Sequence, residues 1–483
     1  MTSARTAARS VFIVGSAALV VAVSWRFMDL LGDSFWTMAL GRTILATRTL
    51  PAQDPFAYTS VHERYFVQMP ATAVLFAWLA AHAGLAAVAA TAALVQAAAW
   101  IIAWLGSSRG SRGAVAQLVA LPAVLLGEFL GRGDLCARGQ VFGSLGFAIL
   151  LVLVDRVRRG RAVHGIAPFA LAAAWANLHP SFVLAVAVPL ACAAMTYVDP
   201  PDERTPARPL LRLAAWASAG MLVTPYGPGL LLDVMKLMRD PTTAELDLFQ
   251  SPNFRSFAWL VLVVLTLTAM SLRASYGPTA GRASDVALMA VLLAAACGAR
   301  RYGDLLWLTV VFQLGRSAGD AVEGHAAVAA ALAARFAVQA AFAMAGVELA
   351  AATALVTRPR DFLFQVPAGA TAFVQNSGHG ALPDHVYAPY HWGGYLDWAF
   401  DGRRKVFIDG RNMLFHNGVI EDALAIQTAQ PGWSQLLESY AIETLITERW
   451  SRLEAAVAND PAWQPLFQDE RASVYVKKPR SPG

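Results

Sequence analysis

The sequence predicts a polytopic α-helical membrane protein of about eleven spans that ends in a small water-soluble α/β domain, and three observations predict it. Of its 483 residues, 57% are hydrophobic and only 15% charged. That is more apolar surface than a soluble core hides, so lipid is part of the solvent. The apolar residues fall in blocks near the ~20 needed to span a ~30 Å hydrocarbon layer as a helix. Ala71 to Leu105 holds one ionisable side chain, His82, and Ser256 to Leu272 holds none. Beyond Arg360 the composition becomes that of a soluble domain, so the expected boundaries are 1–360 for the membrane body and 361–483 for the tail.

In chain order, the first span is expected at 11–25, behind Arg5 and Arg9. Arg26, Phe27 and Met28 make no small-residue cleavage site, so it reads as an uncleaved span rather than a signal peptide. Residues 71–83 stop at Gly84 and read as an interfacial or re-entrant lead-in to a second span at 84–105. Further spans follow at 114–130, 141–154, 166–178, 180–198, 209–223, 256–272, 284–298, 305–315 and 330–352. This count puts Arg109, Arg112, Arg156, Arg158, Arg159, Arg161, Arg204, Arg208, Arg212, Arg273 and Arg282 on the side of Arg5 and Arg9, as the positive-inside rule requires. Counting 71–83 as a full span would reverse every later loop. The outer face then collects 26–70, 131–140, the His179-Pro180 corner, 224–255, Arg300 and Arg301, and the C-terminal domain. Mid-span charges are few, with Glu128 and Arg335 the main ones.

The net charge of +5 and pI near 9.2 arise from these loop arginines, so they mark topology and no nucleic-acid partner is expected. Cys136, Cys192 and Cys297 lack metal-like spacing and read as packing residues. In the tail, strands are expected at 386–388, 405–409, 443–447 and 472–477, with helices near 419–429, 433–440 and 451–459.

Chemistry-bearing side chains gather on the expected outer face. Asp29 and Asp33 follow the first span, where partial desolvation makes a carboxylate a usable base; both also suit solvated interfacial acids. Asp54, before Pro55, either caps a turn or joins Asp33 around a cation or hydroxyl. The loop G-R-G-D-L-C-A-R-G-Q offers Arg132, Asp134, Arg138 and Gln140, and Arg300 with Arg301 repeat the anomaly of outer arginines. Guanidinium groups there suit bidentate phosphate binding, although snorkelling explains a single one. Asn177 and His179 occupy a turn in which an imidazole either orients a phosphate, ligates a metal, donates a proton or is simply structural. Thr224 to Gly227, T-P-Y-G, ends a helix. The sequence holds no Walker motif, H-E-x-x-H or C-x-x-C, so nucleotide hydrolysis and zinc proteolysis lack support.

Together, D-S-F-W-T-M-A-L-G-R (Asp33 to Arg42), T-L-P-A-Q-D-P-F-A-Y-T (Thr49 to Thr59), A-R-G-Q-V-F, W-A-N-L-H-P-S, T-P-Y-G and A-R-R-Y resemble, in order and spacing, bacterial multi-pass proteins similar to GT-C type glycosyltransferases. Y-H-W-G-G-Y-L-D-W and K-V-F-I-D-G-R-N resemble that family's soluble tail. The resemblance implies a GT-C-like membrane domain, a polyprenyl-phosphate-linked sugar as donor, and a place in the bacterial cytoplasmic membrane with the tail extracytoplasmic. It puts Asp33 on the acidic position associated with the catalytic base or a metal site, which leaves the metal undefined and admits a divalent cation as cofactor. Two departures stand out: Thr37 replaces a His, and Gln68, Met69 and Pro70 replace an H-E-W triplet.

The expected function is inverting sugar transfer at the outer face, with Asp33 as base and Asp54, Arg132, Arg138, Gln140, His179, Arg300 and Arg301 binding substrate. The rivals are a lipid or solute carrier, against which the scarcity of mid-span charge counts, and a non-catalytic scaffold that binds a partner through Trp392, Tyr395 and Trp398.

Overall fold

A computed structural model of the chain describes residues 2–60, 64–107, 113–131, 135–239, 250–277, 281–323, 344–357, 360–377, 382–415 and 418–478. The chain divides into two compact units that are not sequential. A helical unit comprises Met1–Met28, Ala89–Leu135 and Gly139–Pro359; a second unit comprises Asp29–Val88, Cys136–Arg138 and Arg360–Gly483. The last segment of the second unit starts at Arg360, and residues 29–88 and 136–138 fold with it.

The helices are α1 Thr2–Phe27, α2 Gly32–Thr47, α3 Pro70–Ala83, α4 Leu85–Ser107, α5 Gly113–Leu130, α6 Gln140–Arg158, α7 Ile166–Leu178, α8 Leu184–Met195, α9 Ala207–Met221, α10 Pro228–Arg239, α11 Phe257–Tyr276, α12 Arg282–Gly298 and α13 Gly303–Glu323. A further helix, α14, covers Met344–Val356. Among the described residues, five segments are long and apolar enough to cross a bilayer: Arg9–Phe27, Leu85–Ser107, Gln140–Arg158, Pro180–Val198 and Phe257–Tyr276. Shorter apolar helices include Ala116–Leu130, Ile166–Leu178 and α14. Of the span expected at 330–352, residues 330–343 lie outside the described residues, as does Arg335. The lead-in at 71–83 is a helix of its own: Pro70 opens α3, and Gly84, at φ 78°, separates it from α4.

Apolar side chains of α1 and α4 to α13 pack into one core. Other large apolar residues, among them Leu94, Trp216, Val264, Leu267 and Val291, lie on the outside of this unit, as lipid-facing side chains do. Charge inside the unit exceeds the sequence expectation. The helices α6 and α11 run on past their apolar blocks, so Arg158 and Arg273, expected in loops, are buried. Asp285 pairs with Arg158, with Arg273 Nε at 2.7 Å and with Arg316 at 3.4 Å. Asp155 takes Arg159 at 2.9 Å and Arg316 at 3.4 Å. Glu128 is 1% exposed and accepts the Ser24 hydroxyl at 2.7 Å.

The second unit is built on a five-stranded sheet of order β2-β1-β3-β5-β4, with β1 His385–Tyr387, β2 Lys405–Val406, β3 Thr444–Glu448, β4 Trp463–Gln468 and β5 Ala472–Lys477. β1 runs parallel to β2 and β3; β5 is antiparallel to β3 and β4. The helices α15 Ala368–Asn376, α16 Tyr390–Phe400, α17 Val419–Gln427, α18 Trp433–Ser439 and α19 Arg452–Ala458 complete it.

The four expected strands and three expected helices form. β4 does not read as a strand because Pro465 sits inside it; as an edge strand with a register shift there, it tolerates the missing N–H. α16 does not read as a helix because it holds Gly393 and Gly394. Both are needed for close packing: a Cβ on Gly393 would lie 1.9 Å from the Ile408 carbonyl oxygen, and one on Gly394 2.2 Å from that of Gly32. The aromatic run is mostly core: Trp392 and Tyr395 are buried, and Phe35 of α2 sits edge-on to Tyr395 at 5.0 Å.

Residues 56–58 extend the sheet beyond β2. Val406 N–H donates to the Phe56 carbonyl at 3.0 Å and Tyr58 N–H to that of Val406 at 3.1 Å, while Tyr58 stacks on His385 at 4.2 Å. A segment from early in the chain thus covers the open edge of a C-terminal sheet.

Candidate active site

In the second unit the site is built around Asp33. Its position in the first turn of α2 lets the positive end of the helix dipole favour the carboxylate. Trp36, one turn on, donates its indole N–H to Oδ1 at 3.1 Å, and Arg138 Nη1 approaches Oδ2 at 3.4 Å. Arg138 is delivered by a bridge between Asp29 and Cys136, where Ala137 N–H donates to the Asp29 carbonyl at 2.8 Å. The Asp33 side chain keeps 35% exposure, so a held carboxylate stays accessible.

The C-terminal segment forms one wall of this site. A Cβ on Gly410 would lie 2.5 Å from Asp33 Oδ1 and 3.2 Å from Trp36 Nε1, so glycine is required for the approach. The Tyr390 phenol donates to Asn412, and its pKa is raised, first by burial and then by the charge of Asp33. Thr37 does not replace the expected His at the carboxylate: it is fully buried, and its hydroxyl donates to the Asp33 carbonyl at 2.6 Å. Gln68 is buried, Met69 precedes α3 and Pro70 opens it.

Asp54 takes its structural alternative. Its carboxylate is 1% exposed, accepts the backbone N–H groups of Phe56 and Ala57 at 3.0 Å, and binds Arg411 Nη1 at 2.6 Å. Arg411 also grips Asp409 through Nε at 2.9 Å and Nη2 at 2.5 Å, and lies over the rings of Phe56 and Tyr65. Burial opposes its charge, but Asp409 and Asp54 hold its pKa well above the ordinary guanidinium value. Asp397 is buried beside this group with no N–H or O–H donor on either oxygen; burial first, and then Asp409, push its pKa well above the usual carboxylate range. This cluster joins K-V-F-I-D-G-R-N to L-P-A-Q-D-P-F. Its members share two motifs already noticeable in the sequence, but no spacing rule pairs them.

The helical unit gathers a different set. His179 Nδ1 accepts the Ser181 N–H at 3.2 Å and lies 2.7 Å from its hydroxyl, which in turn accepts Trp175 Nε1 at 3.1 Å. A neutral ring so held carries its proton on Nε2. Gly143 makes room, since a Cβ there would lie 2.8 Å from His179 Nδ1. Gln140 donates to Asp304 at 3.0 Å. Gln140, His179 and Arg301 line one cavity of about 140 Å³, with Val234, Leu237 and Met238 on its apolar side. Arg300 stands next to Arg301 in a short 3₁₀ turn, its N–H on the Gln250 carbonyl at 3.0 Å, and does not line the cavity. Arg132 and Asp134 lie outside the described residues.

The donor set does not fit a divalent cation. Among the described residues no three His, Cys, Asp or Glu side chains are grouped to hold a metal ion. Both Asp33 oxygens face N–H donors, one of them a guanidinium, which repels a cation.

No protein-family model and no curated protein sequence matches this chain. Solved structures do. The oligosaccharyltransferase of Archaeoglobus fulgidus, tethered to an acceptor peptide, is similar at 13% identity and a TM-score of 0.55, over 98% of this chain and 74% of its own. ArnT from Cupriavidus metallidurans in the apo state is similar at 16% identity and a TM-score of 0.54, over 97% of this chain and 98% of its own. The mycobacterial arabinofuranosyltransferase AftD is similar at 15% identity and a TM-score of 0.52, over 98% of this chain but 41% of its own. At these identities the likeness is one of fold: the chain has the fold of GT-C glycosyltransferases.

Proposed function

We propose that this chain is a membrane glycosyltransferase of GT-C type that transfers a sugar from a polyprenyl-phosphate carrier to an acceptor at the outer face of the bacterial cytoplasmic membrane, its second unit extracytoplasmic and its helical unit crossing the bilayer about eleven times. The observation that carries this reading is Asp33: a carboxylate fixed by Trp36 and Arg138, yet 35% exposed. Two similar structures support the donor class, since ArnT was solved with undecaprenyl phosphate and the archaeal oligosaccharyltransferase AglB with a dolichol-phosphate.

Asp33 takes the proton of an acceptor hydroxyl as that oxygen attacks the anomeric carbon. The bond from that carbon to the phosphate oxygen breaks with inversion, and the electron pair leaves with the phosphate, whose charge Arg138 stabilises. No step needs a metal. In the helical unit, as a separate proposal, the cavity with Arg301, Gln140 and His179 binds a lipid, its apolar side suiting a prenyl chain.

The test is Asp33→Asn in reconstituted vesicles, with release of undecaprenyl phosphate from undecaprenyl-phosphate-linked arabinose, glucose or mannose as the readout. Release should vanish while expression and folding persist; unchanged release would sink the role of Asp33.

A further inference from the structure

A cavity of about 750 Å³ in the second unit is lined by residues of the C-terminal domain and does not include Asp33. Trp450 stands at its rim, 85% exposed although it is the largest side-chain type. An indole so exposed is unusual unless something covers it. Its orientation is fixed from below. The Arg449 guanidinium lies over the ring, 4.3 Å from its centre, and is itself tied to Glu454, whose Oε2 also accepts the Trp450 backbone N–H at 2.6 Å. One ring face is therefore occupied by a cation and the other is open.

Around that open face the lining is polar. Glu448, Asp469 and Glu470 supply carboxylates, Arg449 and Arg471 guanidinium groups, Gln365 an amide and His391 an imidazole. In its neutral form the His391 imidazole both donates and accepts. A flat aromatic ring beside several hydrogen-bonding groups of both kinds matches a sugar, which has an apolar C–H face and a rim of hydroxyls. His391 also links the groove to the catalytic region: a Cβ on Gly32, the neighbour of Asp33, would lie 3.0 Å from the His391 carbonyl oxygen.

We propose that this groove binds an oligosaccharide, the acceptor of the reaction, with Trp450 as the stacking platform and Glu448, Asp469 and Glu470 receiving its hydroxyls. The role as acceptor site rests on the transferase reading, whereas the binding itself does not.

The experiment uses the full chain in nanodiscs and a panel of linear gluco-, manno- and arabino-oligosaccharides as probes, read by protection of tryptophan emission from acrylamide and by saturation-transfer NMR. At least one series should bind and protect. Trp450→Ala should weaken that binding about tenfold, the loss expected for one aromatic anchor, and Trp450→Phe should restore part of it. Asp33→Asn should bind as the unaltered chain does. Absence of binding across the panel, equal binding by Trp450→Ala, or protection by empty anionic liposomes or by unrelated peptides instead of sugars would each overturn the proposal. Sugar binding without any transfer would leave the groove standing and sink the transferase reading; transfer with no saccharide binding would do the reverse.

Discussion

Arg411 donates to Asp54 at 2.6 Å across 357 residues of chain, with both side chains 1% exposed. This contact and the β-type pairing of residues 56–58 with Val406 make residues 29–88 and the C-terminal segment one folded object. Deleting 361–483 therefore cannot separate an enzyme from a scaffold, because it also removes the partners of the segment that carries Asp33.

Truncating Arg411 leaves Asp54 and Asp409 buried without their counter-charge. Arg411→Ala should cost the second unit about 3–5 kcal/mol, as breaking a buried ion pair does. Limited proteolysis at increasing denaturant measures it, and cleavage should begin within 29–88 and the tail together.

Asp397 gives a pH dependence of definite sign. Its pKa is raised in the folded state, so above the unfolded value of about 3.9 the folded chain holds a proton that the unfolded chain has lost, and stability falls as pH rises towards the folded value. Asp397→Asn, which keeps a donor for Asp409, should flatten that slope and raise thermal stability at pH 7. A variant with the same or steeper decline between pH 5 and pH 7 would contradict the assignment.

Gly410→Ala places a methyl group 2.5 Å from Asp33 Oδ1. Displacing the base by even ~1 Å should reduce transfer about 10²-fold while leaving the fold intact, because the added group is small. Rates of undecaprenyl phosphate release together with circular dichroism check this; an active Gly410→Ala enzyme would mean that the carboxylate has room to move.

In the helical unit, Asp285→Ala removes the acid shared by Arg158, Arg273 and Arg316. A loss of several kcal/mol is expected, seen as a lower Tm in detergent. Asp285→Asn should recover part of it by keeping hydrogen bonds to the guanidinium groups.

The sequence by itself determined the class of the protein, since long apolar blocks admit only membrane helices and an alternating, charged tail admits an aqueous domain. It also supplied Asp33, whose place in a short motif after the first span is a local fact. Periodicity located β1, β3, β5 and the helices 419–427, 433–439 and 452–458 for the same reason: their patterns are set by neighbours a few residues away. Only the tertiary structure decided that Asp54 belongs to Arg411 and not to Asp33, that Arg158 and Arg273 are buried pairs rather than loop markers, and that Gly393, Gly394 and Gly410 are packing requirements instead of breaks. Those facts depend on which distant backbone comes within a few ångströms of a residue. No local pattern encodes that, because the partner's approach is fixed by the packing of the whole unit.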